Sequence, residues 1–179
     1  MESVVTRAPQ SGMMTEQCHE VSSLDKKSKI PDPREPLGER ILFIQENMVA
    51  FVNQYNMPVV EVALVVSKYI RILLEELRRV AEDSDERLPS HLLSPSPFDG
   101  DSRSPLIDSF PLDRLLGSLD EDRMDILDTL MRTTINAVEV PFSSALALLR
   151  DWERLIRIQL SESRSPGHLF SPMRIPENF

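Results

Sequence analysis

The sequence predicts an all-α protein, a small helical bundle of about four main helices. Apolar residues recur at helical spacing in four separate segments. The chain has only 5 glycines, which suits helices because they need few residues with positive φ. Its 14 prolines lie mostly outside these segments, where they leave helical hydrogen bonds intact. At 179 residues, the chain fits one domain with flanking tails better than two domains.

Residues 1–36 are rich in Ser, Pro, Lys and Glu and show no apolar periodicity, so we expect a disordered N-terminal tail. The KKSK run at 26–29 resembles part of a nuclear localisation signal, and a solvated tail is the alternative. Cys18, the single cysteine, lies beside His19 with no second thiol. We therefore expect neither an intrachain disulfide nor a metal site. A protein without disulfides is typical of a reducing compartment, so we expect that location. The first residues also lack the apolar core of a signal peptide.

The first two main helices are predicted over 39–56 and 58–81. Pro58 separates them, because a proline disfavours helical geometry at the residue before it and suits the first turn of the next helix. So short a connection predicts a helical hairpin. The first helix carries an apolar stripe formed by Ile41, Ile44, Met48, Phe51, Val52 and Tyr55.

The most apolar run of the chain, residues 58–77, is interrupted by Glu61, Lys68 and Arg71. A membrane-spanning helix needs about twenty nearly uncharged residues, so this run predicts a buried core helix, and no membrane partner is expected. Residues 59–66 are apolar on nearly every side and should be the most buried part of the fold.

A flexible acidic linker is predicted over 83–110. Residues 82–128 contain thirteen acidic residues and four arginines, so this block carries all of the formal net charge of −9. A negative block repels phosphate backbones, so the sequence argues against a nucleic-acid partner.

The second half of the bundle begins with a short helix predicted over 111–117 and a main helix over 119–139. Ser118 and Glu121 fit a capping box, in which the serine side chain accepts from an early amide and the glutamate reaches back. The acidic residues that follow Leu119 complement the positive end of the helix.

The last main helix is predicted over 143–160, after the break at Pro141. Residues 162–179 follow as a second disordered tail, so the helical domain extends over 37–161. The residues expected to face inward on this helix are Leu146, Leu149, Trp152, Leu155 and Ile156.

The motif with the most chemical content is the Ser-Pro pair, which proline-directed kinases read in extended segments. Pro favours that extended state at the preceding residue. Because Ser and Pro are both loop residues, composition alone is the alternative explanation. Ser171-Pro-Met-Arg174 also matches the fuller cyclin-dependent kinase consensus, with a base three residues after the serine. The phosphorylation candidates are Ser94, Ser96, Ser104, Ser165 and Ser171.

Each phosphate would add about −1.5 to −2 charge to the chain, which favours an arginine-rich acceptor. Arg150, Arg154 and Arg157 form one internal candidate at helical spacing. The alternative, which we prefer, is a solvated face balanced by Asp151 and Glu153.

Leu112, Leu115 and Leu116 match the LxxLL pattern by which coactivator helices enter the groove of nuclear receptors. Three leucines on one helical face fill a short apolar groove. Packing into the protein's own core is the alternative, and it is the commoner use of such a face.

Arg40-Ile-Leu-Phe43 resembles the RxLF motif that binds cyclins and the RVxF-like motif that binds protein phosphatase type one. Arg40, Leu42 and Phe43 are therefore docking candidates, since docking raises the effective concentration at nearby serines. Both motifs need an extended segment, and Ile41 belongs to a helical stripe, so burial is the alternative.

Catalytic signatures are missing from the sequence, which has no Gly-rich phosphate loop, HExxH or G-x-S-x-G pattern. We expect no enzyme activity, catalytic residue, metal or cofactor. The pattern favours a eukaryotic regulatory module of the nucleus or cytoplasm, an adaptor or regulator in signalling, cell cycle or transcription, with protein partners such as a proline-directed kinase. Two alternatives stay open: a constitutive subunit whose helix over 58–81 packs against a partner chain, and an enzyme with an unrecognised site.

Overall fold

The computed structural model describes residues 29–95, 97 and 112–179. Within these residues the chain forms seven helices and no strand, which confirms the predicted all-α class. The helices in chain order are α1 Leu37–Gln54, α2 Val59–Asp83, α3 Ser90–Leu93, α4 Leu112–Leu116, α5 Glu121–Ala137, α6 Phe142–Ser161 and α7 Pro166–Leu169.

The predicted hairpin of α1 and α2 is closed by a left-handed residue. Asn56 has φ 46°, and the Met57 amide donates to the Val52 carbonyl at 3.0 Å, which closes the end of α1. Asparagine adopts this conformation more easily than most residues. Pro58 then precedes α2 as its N-cap, so α2 begins one residue later than predicted.

The core is built around α2, which packs chiefly on α6, while α1 packs chiefly on α5. Most of residues 59–66 are buried, as the apolar run predicts. The inward residues predicted for α6 are confirmed for the four that are buried, and Leu155 packs against the same core. Those four are Leu146, Leu149, Trp152 and Ile156.

The start of α5 differs from the predicted capping box. Asp120 is the N-cap, and its carboxylate accepts from the Arg123 amide at 3.0 Å. The Ser118 hydroxyl instead donates to the Arg114 carbonyl at 2.8 Å, in the turn after α4. A carboxylate accepts hydrogen bonds more strongly than a hydroxyl and also favours the positive helix end, so Asp120 is the cap and α5 begins at Glu121.

Residues 162–179, predicted as a disordered tail, are instead packed against the bundle. They contain α7, and Met173 is buried while Ile175 and Phe179 pack against the core. Because residues 162–179 are polar and proline-rich, their composition did not indicate that these three apolar residues anchor the segment to the core. The predicted N-terminal tail lies outside the described residues up to position 28, as does most of the linker after position 95.

Candidate functional site

The described start of the linker is fixed to the bundle by a buried arginine. Arg150 of α6 is 6% exposed, and its Nε and Nη2 donate to the Leu92 carbonyl at 3.3 and 3.0 Å. Its Nη1 donates to Glu153 at 2.7 Å. Arg150 therefore caps the carbonyl end of α3, and Leu92 is buried beside it. The predicted solvated face does not include Arg150, although Arg154 is exposed.

Ser94 lies at the C-cap of α3, on the surface. Its backbone is extended, with φ −119° and ψ 147°, and both Ser94 and Pro95 are exposed. An exposed, extended Ser-Pro pair is the form that proline-directed kinases read. The chain at Ser94 is thus presented outward while Leu92, two residues earlier, is anchored inward.

A cavity of about 600 Å³ lies between α2 and α6, next to Arg150. Positive and negative charges nearly balance along it, because Arg79 pairs with Glu76 and Arg150 pairs with Glu153. The hydrogen bond to Glu76 raises the pKa of Arg79. The charged lining comprises Arg71, Arg78, Arg79, Arg150, Glu75, Glu82 and Glu153.

The second site is formed by residues 171–179, which we call the strap. The Val59 amide donates to the Ser171 carbonyl at 3.1 Å, and the Met173 amide donates to the Met57 carbonyl at 2.8 Å. These two bonds flank an antiparallel bridge between Pro58 and Pro172. The strap is therefore held by its backbone against the turn between α1 and α2.

The side chain of Gln159 on α6 forms hydrogen bonds with the strap at Arg174. Its Oε1 accepts from the Arg174 amide at 2.9 Å, and its Nε2 donates to the Arg174 carbonyl at 2.7 Å. The side-chain amide of Gln159 thus makes the two backbone hydrogen bonds that a residue of a neighbouring strand would make with Arg174. The Arg174 guanidinium also pairs with Glu162 at 2.7 Å.

The far end of the strap is anchored on the tryptophan of α6. The Phe179 ring meets Trp152 edge to face, with ring centroids 5.2 Å apart. Trp152 is fully buried, and its Nε1 donates to Gln45 Oε1 of α1 at 2.6 Å. The strap, α1 and α6 therefore meet at Trp152, which contacts Phe179 of the strap and Gln45 of α1.

The remaining Ser-Pro candidates divide between the strap region and the undescribed linker. Ser165 is half-buried and precedes α7, where its carbonyl accepts from the His168 amide at 3.0 Å. Ser171 is exposed, although its carbonyl is engaged by α2. Ser96 and Ser104 lie outside the described residues.

A cavity of about 530 Å³ lies beside the strap. It holds one histidine, His168, whose Nδ1 accepts from the Arg164 amide at 3.0 Å. Among the described residues, no group of three or more His, Cys, Asp or Glu side chains is placed to hold a metal ion.

The RILF segment lies within α1, so it is helical. Arg40 Nη1 donates to the Val138 and Glu139 carbonyls at 3.1 and 3.0 Å, which caps the end of α5. Phe43 packs against the core, whereas Leu42 is 49% exposed. The segment does not have the extended form that either docking motif needs.

The LxxLL segment coincides with α4. Leu116 is 49% exposed and Leu115 is half-buried. The Leu112 backbone is helical, and its side chain lies outside the described residues. Leu116 thus lies on the surface rather than in the core.

The sequence did not predict the ion pair between Glu61 and Arg123. Glu61 is 1% exposed, and its carboxylate accepts from Arg123 Nε at 2.7 Å, from Arg123 Nη2 at 2.8 Å and from the Asp120 amide at 3.1 Å. The hydrogen bond to Glu61 raises the pKa of Arg123. An acid on a helix that is apolar on all sides indicates a buried partner, and this signal was present at Glu61.

In the part of the chain that is described, no helix is both long and apolar enough to cross a bilayer. No protein-family model matches the chain, and neither a curated protein nor a solved structure is significantly similar to it.

Proposed function

We propose that the protein is a non-enzymatic regulatory module of the nucleus or cytoplasm that binds protein partners and is controlled by proline-directed phosphorylation. The observation that carries the proposal is the placement of Ser94. It is exposed, extended and followed by an exposed proline, at the end of a helix that Arg150 holds against the bundle.

Anchoring of α3 gives a phosphate at Ser94 a defined place on the protein surface. A phosphoserine carries three strong acceptor oxygens and about −1.5 to −2 charge. It would stand two residues from a carbonyl that Arg150 already binds, and Arg150 also lines the cavity that contains Arg71 and Arg78. Phosphorylation would therefore change the charge of a fixed surface, which a partner can recognise.

The exposed leucine of α4 supplies an apolar contact for the same partner. Leu116 belongs to a short helix at the other end of the undescribed linker segment. A half-exposed leucine on a helix suits insertion into an apolar groove of a partner. We place partner docking there rather than at Arg40, whose guanidinium is engaged by α5.

Affinity capture from eukaryotic cells, with and without phosphatase treatment, tests the proposal. Ser94→Ala and phosphatase should change the captured set of proteins in the same way. Ser90→Ala is the matched control, because Ser90 is an exposed serine of the same short helix that no proline follows. If the set of captured proteins changes with neither phosphatase treatment nor Ser94→Ala, the proposal is contradicted.

The constitutive-subunit alternative is favoured by one observation, the exposure of Leu64, Ile72 and Val80 on α2. The buried face of α2, however, packs on α6 of the same chain. Co-expression separates the two proposals: a subunit should be soluble only with its partner, whereas a regulatory module should be folded and soluble when it is expressed alone.

A further inference from the structure

The Ser-Pro site with the fullest consensus is also the one whose backbone is most engaged. Ser171 and Met173 are bonded to the turn between α1 and α2, and Arg174 is bonded through its amide, carbonyl and guanidinium. A kinase that reads Ser-Pro-x-Arg needs an extended segment with these groups free to contact the enzyme. In the closed strap the side chains of Ser171, Pro172 and Arg174 are exposed, but their backbone is bonded to the bundle and cannot adopt the extended form that a kinase binds.

Ser94 is held less firmly, because its backbone is bonded only within α3 and not to another helix. Its amide donates to the Ser90 carbonyl at 3.2 Å, and the Pro95 that follows it is exposed. A kinase therefore reaches Ser94 in the folded protein, whereas Ser171 has to leave α2 and α6 first.

We propose that Ser171 is a gated phosphorylation site, modified only after the strap has left the bundle, while Ser94 is modified in the closed protein. The inference rests on the proposed function. The kinase transfers the γ-phosphoryl group of ATP, forming a bond from phosphorus to Ser171 Oγ and breaking the bond to the β-phosphate oxygen. ADP leaves, and the hydroxyl proton passes to the catalytic base of the kinase.

The gate has a quantitative consequence for the rate at Ser171. When opening and closing are faster than phosphoryl transfer, the rate is proportional to the fraction of open molecules. Any change that weakens the strap contacts raises this fraction and hence the rate at Ser171. The rate at Ser94 is unaffected, because α3 is held to α6 by Arg150, whereas the strap is held by Gln159 and Trp152.

The protein carries its own reporter of strap opening. Trp152 is the single tryptophan, it is fully buried, and Phe179 covers it edge to face. Departure of the strap removes this ring and admits water, so Trp152 emission shifts to the red. Fluorescence therefore measures opening independently of the kinase.

Site-resolved phosphorylation of the full chain tests the gate. A cyclin-dependent kinase and ATP are added to the wild type, Gln159→Ala and Phe179→Ala, and initial rates at Ser94 and Ser171 are read by mass spectrometry. Each rate is divided by that of a synthetic peptide spanning the same site. Gln54→Ala is the matched control, because this exposed glutamine at the end of α1 makes no side-chain hydrogen bond to the strap.

In the wild type, the rate at Ser171 relative to its peptide should be at least about tenfold below the relative rate at Ser94. Gln159→Ala, which removes two hydrogen bonds, should raise the Ser171 rate by about tenfold. Phe179→Ala should raise it similarly, and Gln159→Ala, which leaves Phe179 in place, should shift Trp152 emission to the red. Ser94 rates and the behaviour of Gln54→Ala should stay unchanged.

Two outcomes overturn the gate. In one, the phosphorylation rate at Ser171 in the wild type equals the rate of the peptide. In the other, the rate at Ser171 is the same in Gln159→Ala and Phe179→Ala as in the wild type. Helical circular dichroism, together with a constant Ser94 rate, shows that the variants remain folded. A failure of the proposed function looks different: Ser94 stays unmodified in the full chain and in its peptide, or its modification leaves partner binding unchanged.

Discussion

Glu61 shows how a single charge is accommodated inside this bundle. Its carboxylate is almost completely removed from water and accepts three hydrogen bonds, two from Arg123 and one from the Asp120 amide. Desolvating a lone carboxylate costs several kcal/mol, so these bonds are needed to hold it there. The pair also ties α2 to the first turn of α5.

Replacing Arg123 should therefore destabilise the protein strongly. Arg123→Met leaves Glu61 buried without its cation, and the free energy of unfolding should fall by about 3–5 kcal/mol. The double variant with Glu61→Leu should recover most of this loss. Urea unfolding followed by circular dichroism measures both values.

An exposed ion pair provides the control for this measurement. Lys68 bonds Asp128 on the surface, with side-chain exposures of 51% and 20%. Lys68→Met should cost less than about 1 kcal/mol, because solvent screens such a pair. If Arg123→Met costs no more than Lys68→Met, Glu61 does not depend on its cation.

Tyr69 gives the stability a dependence on alkaline pH. Its hydroxyl donates to the Asp128 carbonyl at 2.9 Å. Burial, followed by the nearby Asp128 charge, raises the pKa of Tyr69 from 10.0 to about 12. The unfolded chain therefore loses this proton first, so Tyr69 contributes full stability below pH 10.0 and loses that contribution as the pH rises toward about 12.

Comparison with Tyr69→Phe isolates the effect. Near neutral pH the variant should be less stable by about 1 kcal/mol, because it lacks the hydrogen bond. This difference should shrink as the pH rises above 10.0, since the unfolded variant has no phenol to ionise. A difference that stays constant up to pH 12 would rule out the raised pKa of Tyr69.

At the scale of single residues, patterns predicted burial better than they predicted partners. Periodicity predicted that Trp152 and Ile156 face inward, and both are buried. It did not predict Gln159, whose two bonds to Arg174 depend on how the chain returns past α6. Partners of this kind follow from tertiary structure, which local spacing does not encode.

At the scale of elements, the four main helices were predictable because each has an apolar stripe and a proline near its start or end. Pro58 and Pro141 mark the boundaries within a residue or two. The helices α3 and α7 were not predicted, because four residues are too few to show a period. Contacts with the bundle, such as that of Leu92, account for α3.

Arg150 should therefore control whether α3 stays on the bundle. Arg150→Met keeps much of the packing volume but leaves the Leu92 carbonyl without its donors, at a cost of about 1–3 kcal/mol. Hydrogen exchange should become faster over residues 90–94. Arg154→Met, at an exposed position of the same helix, should change stability by less than about 0.5 kcal/mol. Unchanged exchange over 90–94 would show that Arg150 does not hold α3.

At the scale of the whole molecule, the principal departure from prediction is the strap. Its composition is typical of a disordered tail, with prolines at 172 and 176 and polar residues at 171, 174, 177 and 178. Its order comes from backbone pairing with Met57 and Val59 and from side chains seated on α6. Composition reports only the average of a segment, whereas a few anchors decide whether that segment packs.

The strap also imposes an order on folding. It pairs residues more than a hundred positions apart, and its partners come from two different places, the turn after α1 and the outer side of α6. Closing so long a loop loses chain entropy unless the intervening helices have already brought its ends together. The strap is thus a late step in assembly and an early one in unfolding, and the contacts of Trp152 mark its completion.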